Sequence, residues 1–332
     1  MRRKIVILIY ENAVLSSVAA PIDIFTRTNQ LLIAQQEGRA FDVSLIANKA
    51  NRVKIGAGAM FDCAQGLADF SPKSAGHGQF LIVVPAFAGN WDEVLQKNRD
   101  VIEWLKLHYQ SGTEIASLCK GSYFLAEAGL LNGMPCTSHL SVMNDMRARY
   151  PAIHLQPDAV VTDKNEIYTG GGAFSSLNLV LYLVEKFCGH EVGIQIAKNF
   201  SIQRDHVNQS HFASFNGLTQ HGDTLILSAQ TYIENKFAEA ISLEGVANHI
   251  NMSKRNFIRR FKQAVQLTPM DYIQRVKIEA AKKAFEQNNK SIQSVIYDVG
   301  YSDTKTFRDT FKKLTGVTPQ DYRKKYARNL MY

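Results

Sequence analysis

A cysteine at a predicted strand-to-helix turn is the residue of this chain best placed for covalent chemistry. The mostly apolar run Glu114–Leu118 is typical of a buried strand, and Cys119-Lys120-Gly121-Ser122 follows it as a sharp turn. A thiol there lies under the N-terminus of the next helix, whose dipole favours the thiolate. The position predicts an exposed, partly activated thiol. A cysteine after a strand is also a common small core residue, and that interpretation stays open.

A second group of chemically useful residues lies in a repeat near the C-terminus. The segments Ser242–Tyr272 and Ser291–Tyr322 resemble each other, and each ends in Thr-Pro-x-Asp-Tyr. Each carries two phenylalanines four residues apart, which are Phe257 and Phe261 in the first copy and Phe307 and Phe311 in the second. Residues at this spacing share one helix face, so each copy predicts a helix anchored by two rings.

The opposite face of each predicted helix is polar and basic. The residues are Lys254, Arg255, Asn256, Arg259 and Lys262 in the first copy, and Thr304, Lys305, Arg308, Asp309 and Lys312 in the second. Such side chains read base edges and phosphates in the major groove. We expect base contacts from Arg255, Arg259, Thr304 and Lys305. The alternative is a helical bundle with a solvated basic face. Because the basic face occurs in both copies of the repeat, we favour DNA binding.

The turns before these helices differ in length. Ser253 and Ser302 are the predicted N-caps. They lie 49 residues apart whereas the phenylalanines lie 50 apart, so the second turn is predicted to be one residue longer.

The charge distribution agrees with an anionic partner for this part of the chain. From Asp223 onward there are 19 Lys and Arg against 11 Asp and Glu, whereas residues 1–222 hold 19 of each. The whole excess of +8 therefore lies in the last third of the 332 residues. A basic domain beside a neutral one favours nucleic acid.

The elements that must hold these residues fall into two domains. Strands are predicted at Lys4–Tyr10, Phe41–Ala47, Phe80–Pro85 and Glu114–Leu118, and helices at Pro21–Gln36, Trp91–Gln110 and Ser122–Ala128. Continuous apolar strands alternating with helices predict an open parallel sheet in an α/β sandwich of flavodoxin-like type over residues 1–200. Residues 201–222 are polar and predict a linker, and residues 223–332 predict an all-α domain with two helix-turn-helix units.

The remaining composition limits the class of protein. Cys63, Cys119, Cys136 and Cys188 form no CxxC pair, and no histidine has metal-ligand spacing near them. We expect reduced thiols, no metal and no cofactor. The longest apolar run near the start is too short for a signal peptide or membrane span, so we expect a cytoplasmic, nucleoid-associated protein without membrane contacts.

The C-terminal repeat resembles the AraC/XylS-type DNA-binding domain over roughly residues 223–326. The resemblance rests on Gly300-Tyr301-Ser302-Asp303, Phe307, Phe311-Lys312-Lys313 and Thr318-Pro319. It implies seven helices, with a connector at Pro269–Asn288 and two recognition helices in successive major grooves of promoter DNA. It also implies a homodimer, and RNA polymerase as a partner if the protein activates.

Residues 4–200 resemble PfpI-like, class I glutamine-amidotransferase-like domains. The matching segments are Ala20–Phe25, the turn at Cys119, Leu125–Gly133, Thr137–His139 and Tyr168–Gly172. Such a domain followed by an AraC-type domain is similar to GlxA-type regulators. The resemblance implies a small effector, such as an amino acid or quaternary amine.

Two positions depart from the catalytic members of that superfamily. Lys120 stands where they have histidine, and Ser17 stands where they have a carboxylate. His139 is then the one candidate base, without an evident partner, and a nucleophile needs such a base. We therefore expect a ligand pocket rather than an enzyme, at the carboxyl edge of the sheet, formed by Cys119, Lys120, His139, Thr169 and Gly170. A thiol hydrolase or amidase and a cysteine redox sensor remain alternatives, and the glycines at 170–172 suit a tight turn equally well.

Overall fold

The computed structural model describes residues 2–70, 80–202, 221–287 and 290–327. The chain divides into two compact units, Met1–Gln209 and Ser210–Tyr332. The predicted linker 201–222 lies mostly outside the described residues, as does Asn288, the predicted end of the connector.

The first unit is built on a seven-stranded sheet. Its strands are β1 Arg3–Ile9, β2 Phe41–Ala47, β5 Gln65–Gly66, β6 Phe80–Val84, β7 Glu114–Leu118, β10 Val161–Lys164 and β11 Ile167–Gly170. Their order across the sheet is β10-β11-β7-β6-β1-β2-β5. All neighbours pair in parallel except β10 and β11, which are antiparallel. The predicted fold class and the four predicted strands are thus confirmed.

Within the described residues, this unit also has two smaller strand pairs and seven α-helices. The pairs are β3 Asn51–Lys54 with β4 Met60–Cys63, and β8 Pro135–Cys136 with β9 His154–Leu155. The helices are α1 Leu15–Ala34, α2 Trp91–Lys97, α3 Arg99–Gln110, α4 Ser122–Glu127, α5 Met143–Arg149, α6 Leu177–Cys188 and α7 His190–Asn199. Every residue of β6 and β7 is buried, as expected for strands covered on both faces.

Two predicted helix bounds are wrong. The first helix begins at Leu15, so Pro21 lies in its second turn instead of at its start. The helix predicted at Trp91–Gln110 is two helices that meet at Asn98, whose side chain donates to Val94 O at 2.8 Å. Asparagine competes for backbone partners in this way and so favours helix ends.

The second unit contains seven helices within the described residues. They are α8 Thr224–Lys236, α9 Leu243–His249, α10 Lys254–Val265, α11 Pro269–Gln287, α12 Ile292–Asp298, α13 Thr304–Thr315 and α14 Pro319–Tyr326. We call α9 with α10 the first helical pair and α12 with α13 the second. Each has its own hydrophobic cluster, built around Phe257 and Phe261 in one and Phe307 and Phe311 in the other.

Helix α11 belongs to both clusters. Its first half contributes Tyr272 and Val276 to the first cluster, and its second half contributes Ile278 and Phe285 to the second. Phe237, at the end of α8, packs against both clusters. One continuous helix therefore fixes the spacing and relative rotation of the two pairs.

Two general findings apply to the described parts of both units. No helix there is long and apolar enough to cross a membrane. No group of three or more His, Cys, Asp and Glu side chains in the same ranges is arranged to hold a metal ion.

Candidate functional site

The backbone at Cys119 is left-handed. Cys119 directly follows β7 with φ 55°, a conformation that costs a residue with a Cβ about 1–2 kcal/mol. Two residues on, a Cβ on Gly121 would lie 2.5 Å from Val84 O and 2.7 Å from Pro85 O. Glycine is therefore required at 121 for the turn to pack against the end of β6. The sharp turn predicted from the sequence is present.

The thiol of Cys119 is buried, not exposed as predicted. Cys119 is only 6% exposed, and this burial raises the pKa of its thiol above the ordinary value. The backbone N–H groups of Ala173 and Lys120 and the Lys120 ammonium act in the opposite direction, and burial outweighs them. The free-energy penalty of burying the charged thiolate is therefore larger here than the stabilisation that the N–H dipoles of the turn provide.

Two buried serines fix the turn from beneath. Ser122 Oγ donates to Ser138 Oγ at 2.8 Å, and Ser138 Oγ donates to the carbonyl oxygen of Cys119 at 3.0 Å. Both serines are fully buried. The carbonyl oxygen of Cys119 also accepts the backbone N–H of Ser122, so the serine hydroxyls add to a turn that is already closed by a backbone hydrogen bond. Sequence reasoning did not assign either serine a role.

His139 lies beside Lys120 and the glycine-rich loop. Burial lowers the pKa of His139, and the nearby Lys120 charge lowers it further. Its Nδ1 accepts the backbone N–H of Ser141 at 3.1 Å. Its ring packs so closely on Gly172 that a Cβ there would lie 2.5 Å from His139 Cδ2. Within the described residues, no hydrogen bond joins His139 to the thiol of Cys119.

Thr169 and Gly170 have structural partners inside strand β11. The Thr169 hydroxyl accepts the Thr137 N–H at 2.8 Å and lies 2.6 Å from Thr162 Oγ. A Cβ on Gly170 would lie 3.1 Å from the Leu179 side chain. Both residues are buried. The structure thus groups Cys119, Lys120 and His139 around the loop at Gly172 and Ala173.

Ser17 has a structural partner of its own. Its hydroxyl donates to Val14 O at 2.7 Å and accepts the Ala86 N–H at 3.0 Å. Tyr10, directly after β1, donates to Pro85 O at 2.5 Å. Burial, and secondarily the charge of Cys119, raise the pKa of Tyr10. The carboxyl ends of β1, β6 and β7 therefore meet next to the thiol.

The second unit presents two polar helix faces. Nine of the ten residues predicted to bind DNA are exposed: Lys254, Arg255, Asn256, Arg259, Lys262, Lys305, Arg308, Asp309 and Lys312. Thr304 is half-buried at the start of α13. The four phenylalanine anchors are fully buried on the other side. Gln263, Thr306 and Lys313 are also exposed at positions of the same faces, and their helical spacing from the phenylalanines could have identified them.

One predicted N-cap is wrong. Ser253 caps α10, its Oγ accepting the Asn256 N–H at 3.4 Å, but Asp303 and not Ser302 caps α13, accepting the Thr306 N–H at 2.5 Å. The second turn is nevertheless one residue longer, as predicted. Carboxylates and serine hydroxyls cap helices equally well, so composition alone did not separate these neighbours.

Arg260 differs from the other basic residues of α10. It makes two hydrogen bonds to Asp223, at 2.7 and 3.0 Å, and so joins α10 to the start of α8. These bonds hold the pKa of Asp223 below its usual range. Arg260 therefore stabilises the fold of the second unit and is not part of its exposed face.

Comparisons with known proteins agree with this architecture. The model of the DJ-1/PfpI family matches residues 3–186. The chain belongs to the DJ-1/PfpI family. A helix-turn-helix domain model matches residues 246–325, which include the second helical pair and all of the first except the first three residues of α9. The predicted combination of a PfpI-like domain with an AraC-type domain is confirmed.

Relatives of similar organisation are transcriptional regulators by name. The chain is 24% identical over 226 residues to the HTH-type transcriptional regulator GbdR of Pseudomonas aeruginosa, an alignment covering 68% of this chain and 61% of GbdR. It is 25% identical over 220 residues to the regulator ArgR of the same organism, covering 66% of this chain and 67% of ArgR. The match thus spans less than two thirds of GbdR.

One solved structure supports the fold of the first unit. Drosophila melanogaster DJ-1beta is 18% identical, with a TM-score of 0.50, and the match covers 61% of this chain and all of that protein. At this identity the likeness establishes the α/β fold alone.

Proposed function

We propose that this protein is a sequence-specific DNA-binding transcription regulator whose first unit responds to a small molecule. The observation that carries the proposal is the pair of recognition helices, α10 and α13. Each is held by two buried phenylalanines and turns an exposed polar and basic face to solvent. Helices presented in this way enter the major groove in helix-turn-helix proteins.

The side chains on these faces suit base reading as well as phosphate binding. The Arg255 and Arg259 guanidiniums can each donate two parallel hydrogen bonds to guanine O6 and N7. Arg259 Nη2 already donates to Asn256 Oδ1 at 3.0 Å, which orients its guanidinium. Lys305 takes the position of Arg255 in the second pair. The remaining lysines and arginines would contact phosphates, which makes binding strongly salt-dependent.

Full-length protein and double-stranded DNA selected from a random library test this proposal. Arg255→Ala is expected to weaken binding to the selected DNA about 5- to 150-fold and to relax the preference at one base. Arg27→Ala removes the same charge from the exposed face of α1, where Arg27 donates to Gln30 Oε1 at 3.1 Å, and should leave binding unchanged. Equal weakening for all sequences would make Arg255 a phosphate contact. A wild-type protein that selects no sequence would refute the proposal.

We propose that the effector binds over the turn at Cys119. The Lys120 ammonium and the half-buried His139 supply polar contacts there, and Phe174, two residues after Gly172, is 72% exposed. A large exposed ring beside a polar turn is a surface that a bound small molecule would cover. Thermal unfolding of the full chain with single amino acids and quaternary amines tests this, because a ligand of the native state raises the melting temperature. Lys120→Met should abolish the shift. If no compound changes the melting temperature, the effector class is wrong.

We further propose that the first unit has no hydrolytic turnover. Acyl transfer from a thiol needs a neighbouring base. Here burial raises the pKa of Cys119, His139 Nδ1 accepts from Ser141, and Ser17 bonds to backbone groups. The observation favouring a thiol enzyme is the left-handed Cys119 backbone, since strained residues cluster at functional sites. Cys119-dependent hydrolysis of amide, ester or glyoxal substrates would establish that alternative.

Homodimerisation through the first unit is the last part of the proposal. Its balanced charge permits self-association without long-range repulsion. Two chains would then place four recognition helices on one promoter. Sedimentation of the full chain at tens of micromolar tests this, and a monomer there would contradict it.

A further inference from the structure

The two recognition helices correspond residue by residue. Helices α10 and α13 each have 12 residues, with N-caps Ser253 and Asp303, and each is followed by a residue in the left-handed conformation. A constant offset of 50 therefore relates every position of α10 to one of α13. Differences in side chain at matched positions are then differences in what the two helices present to DNA.

The largest such difference lies at the centre of the exposed faces. Arg259 comes two residues after Phe257 and two before Phe261, and Asp309 has the same relation to Phe307 and Phe311. At about 100° per residue, each points almost directly away from its buried rings. Both are exposed. The first helix thus presents a guanidinium at this point and the second presents a carboxylate.

The carboxylate of Asp309 is surrounded by cations without pairing to any of them. Lys305 and Lys313 lie four residues before and after it, and Lys312 lies three after it, spacings that commonly form ion pairs. In the described part of the chain, no hydrogen bond or ion pair involves the side chain of Asp309. Its oxygens are therefore free to accept from a partner outside the protein.

A carboxylate at this position constrains the DNA partner. DNA phosphates would repel the Asp309 carboxylate, so this carboxylate can approach the DNA closely only where the major groove offers a hydrogen-bond donor. The hydrogen-bond donors on base edges in the major groove are cytosine N4 and adenine N6. Adenine also has an acceptor, N7, beside N6, and N7 would repel the second oxygen of the carboxylate. We propose that Asp309 is a specificity-determining residue that accepts a hydrogen bond from cytosine N4, which makes the operator unequal in its two halves. This inference rests on the proposed function.

Base preferences of full-length variants test the inference. Wild type and variants are each used to select DNA from a random double-stranded library, and anisotropy titrations then compare four operators that differ at one base. Wild type should favour cytosine at that base about tenfold. Asp309→Ala should reduce the preference to within about twofold. Asp309→Asn should shift it toward adenine, whose N6 and N7 match an amide.

Two further variants make the result specific. Glu239→Gln removes the same charge at an exposed site that pairs with Lys236 at 2.9 Å, outside both recognition helices, and should keep the cytosine preference. Arg259→Ala should relax a different base, about ten base pairs away, if the helices occupy successive grooves.

The outcomes separate this inference from the proposed function. If Asp309→Ala strengthens binding to every sequence equally and leaves the profile unchanged, Asp309 is only a repelling charge and the inference fails while DNA binding stands. Loss of preference at the same base in Arg259→Ala and Asp309→Ala would also overturn it. If wild type selects no sequence, the proposed function itself fails.

Discussion

Replacement of Gly300 by alanine should destabilise the second unit strongly. Gly300 lies in the turn between α12 and α13 with φ 75°, and a Cβ there would lie 2.5 Å from Ala238 O and 2.8 Å from Lys277 Nζ. The left-handed backbone costs about 1–2 kcal/mol for alanine. Overpacking against a fixed carbonyl adds about 1–3 kcal/mol. The expected loss in free energy of unfolding is therefore about 2–5 kcal/mol.

Gly222 provides a matched control for this substitution. Its φ is 67°, but no atom lies within 4 Å of where a Cβ would stand. Gly222→Ala should therefore cost only the backbone contribution, about 1–2 kcal/mol. Denaturant unfolding of the full chain, followed by a signal from the second unit, measures both variants. Equal losses for the two would refute the packing argument, and a loss below about 0.5 kcal/mol for Gly300→Ala would refute both contributions.

Three further outcomes are expected. Because burial raises the pKa of Cys119, its alkylation by iodoacetamide should be slow at pH 7 and should rise about tenfold per pH unit up to pH 9; fast alkylation with a plateau near neutrality would contradict this. The hydrogen bonds from Arg260 lower the folded-state pKa of Asp223, so the ion pair stabilises the fold above about pH 4 and this stabilisation is lost as the pH falls. Asp223→Asn should therefore lose less stability than wild type when unfolding is measured at decreasing pH. The same acid dependence in wild type and variant would contradict this expectation. Tyr322→Phe leaves Glu286, the acceptor at 2.5 Å, without its donor and should cost about 1–3 kcal/mol in thermal unfolding, and a neutral effect would mean that water replaces the hydroxyl.

The parts of the fold that the sequence predicts are those with strong periodicity. Four continuous apolar runs identify the parallel strands, and phenylalanines at spacing four identify both recognition helices. The antiparallel strand β10, Val161–Lys164, has only one buried residue and alternates too weakly to stand out. The start of α1 is predicted too late in the sequence, because proline usually lies in the first turn of a helix and Pro21 lies in the second turn of this one.

The candidate site is predicted only in part. The turn at Cys119 follows from a strand, a glycine and a helix in succession. The electrostatics of this turn cannot be predicted in the same way, because the pKa of the Cys119 thiol depends on how deeply segments distant in sequence bury the thiol. Thr169 and Gly170 come from a resemblance, and their hydrogen bonds and packing depend on Thr137, Thr162 and Leu179, which only the folded sheet brings near.

The length of helix α11 sets both the distance and the angle of rotation between α10 and α13. Its 19 residues span about 28 Å at 1.5 Å per residue, comparable with the 34 Å pitch of B-DNA. One residue inserted at its middle would rotate the second recognition helix by about 100° and turn its face out of register with the groove. Four residues would nearly restore the rotation but add about 6 Å of length. If α10 and α13 bind successive major grooves as proposed, this helix fixes the spacing between the two halves of the operator. We then expect promoters that gain or lose one base pair between the halves to bind weakly even when every contacted base is kept.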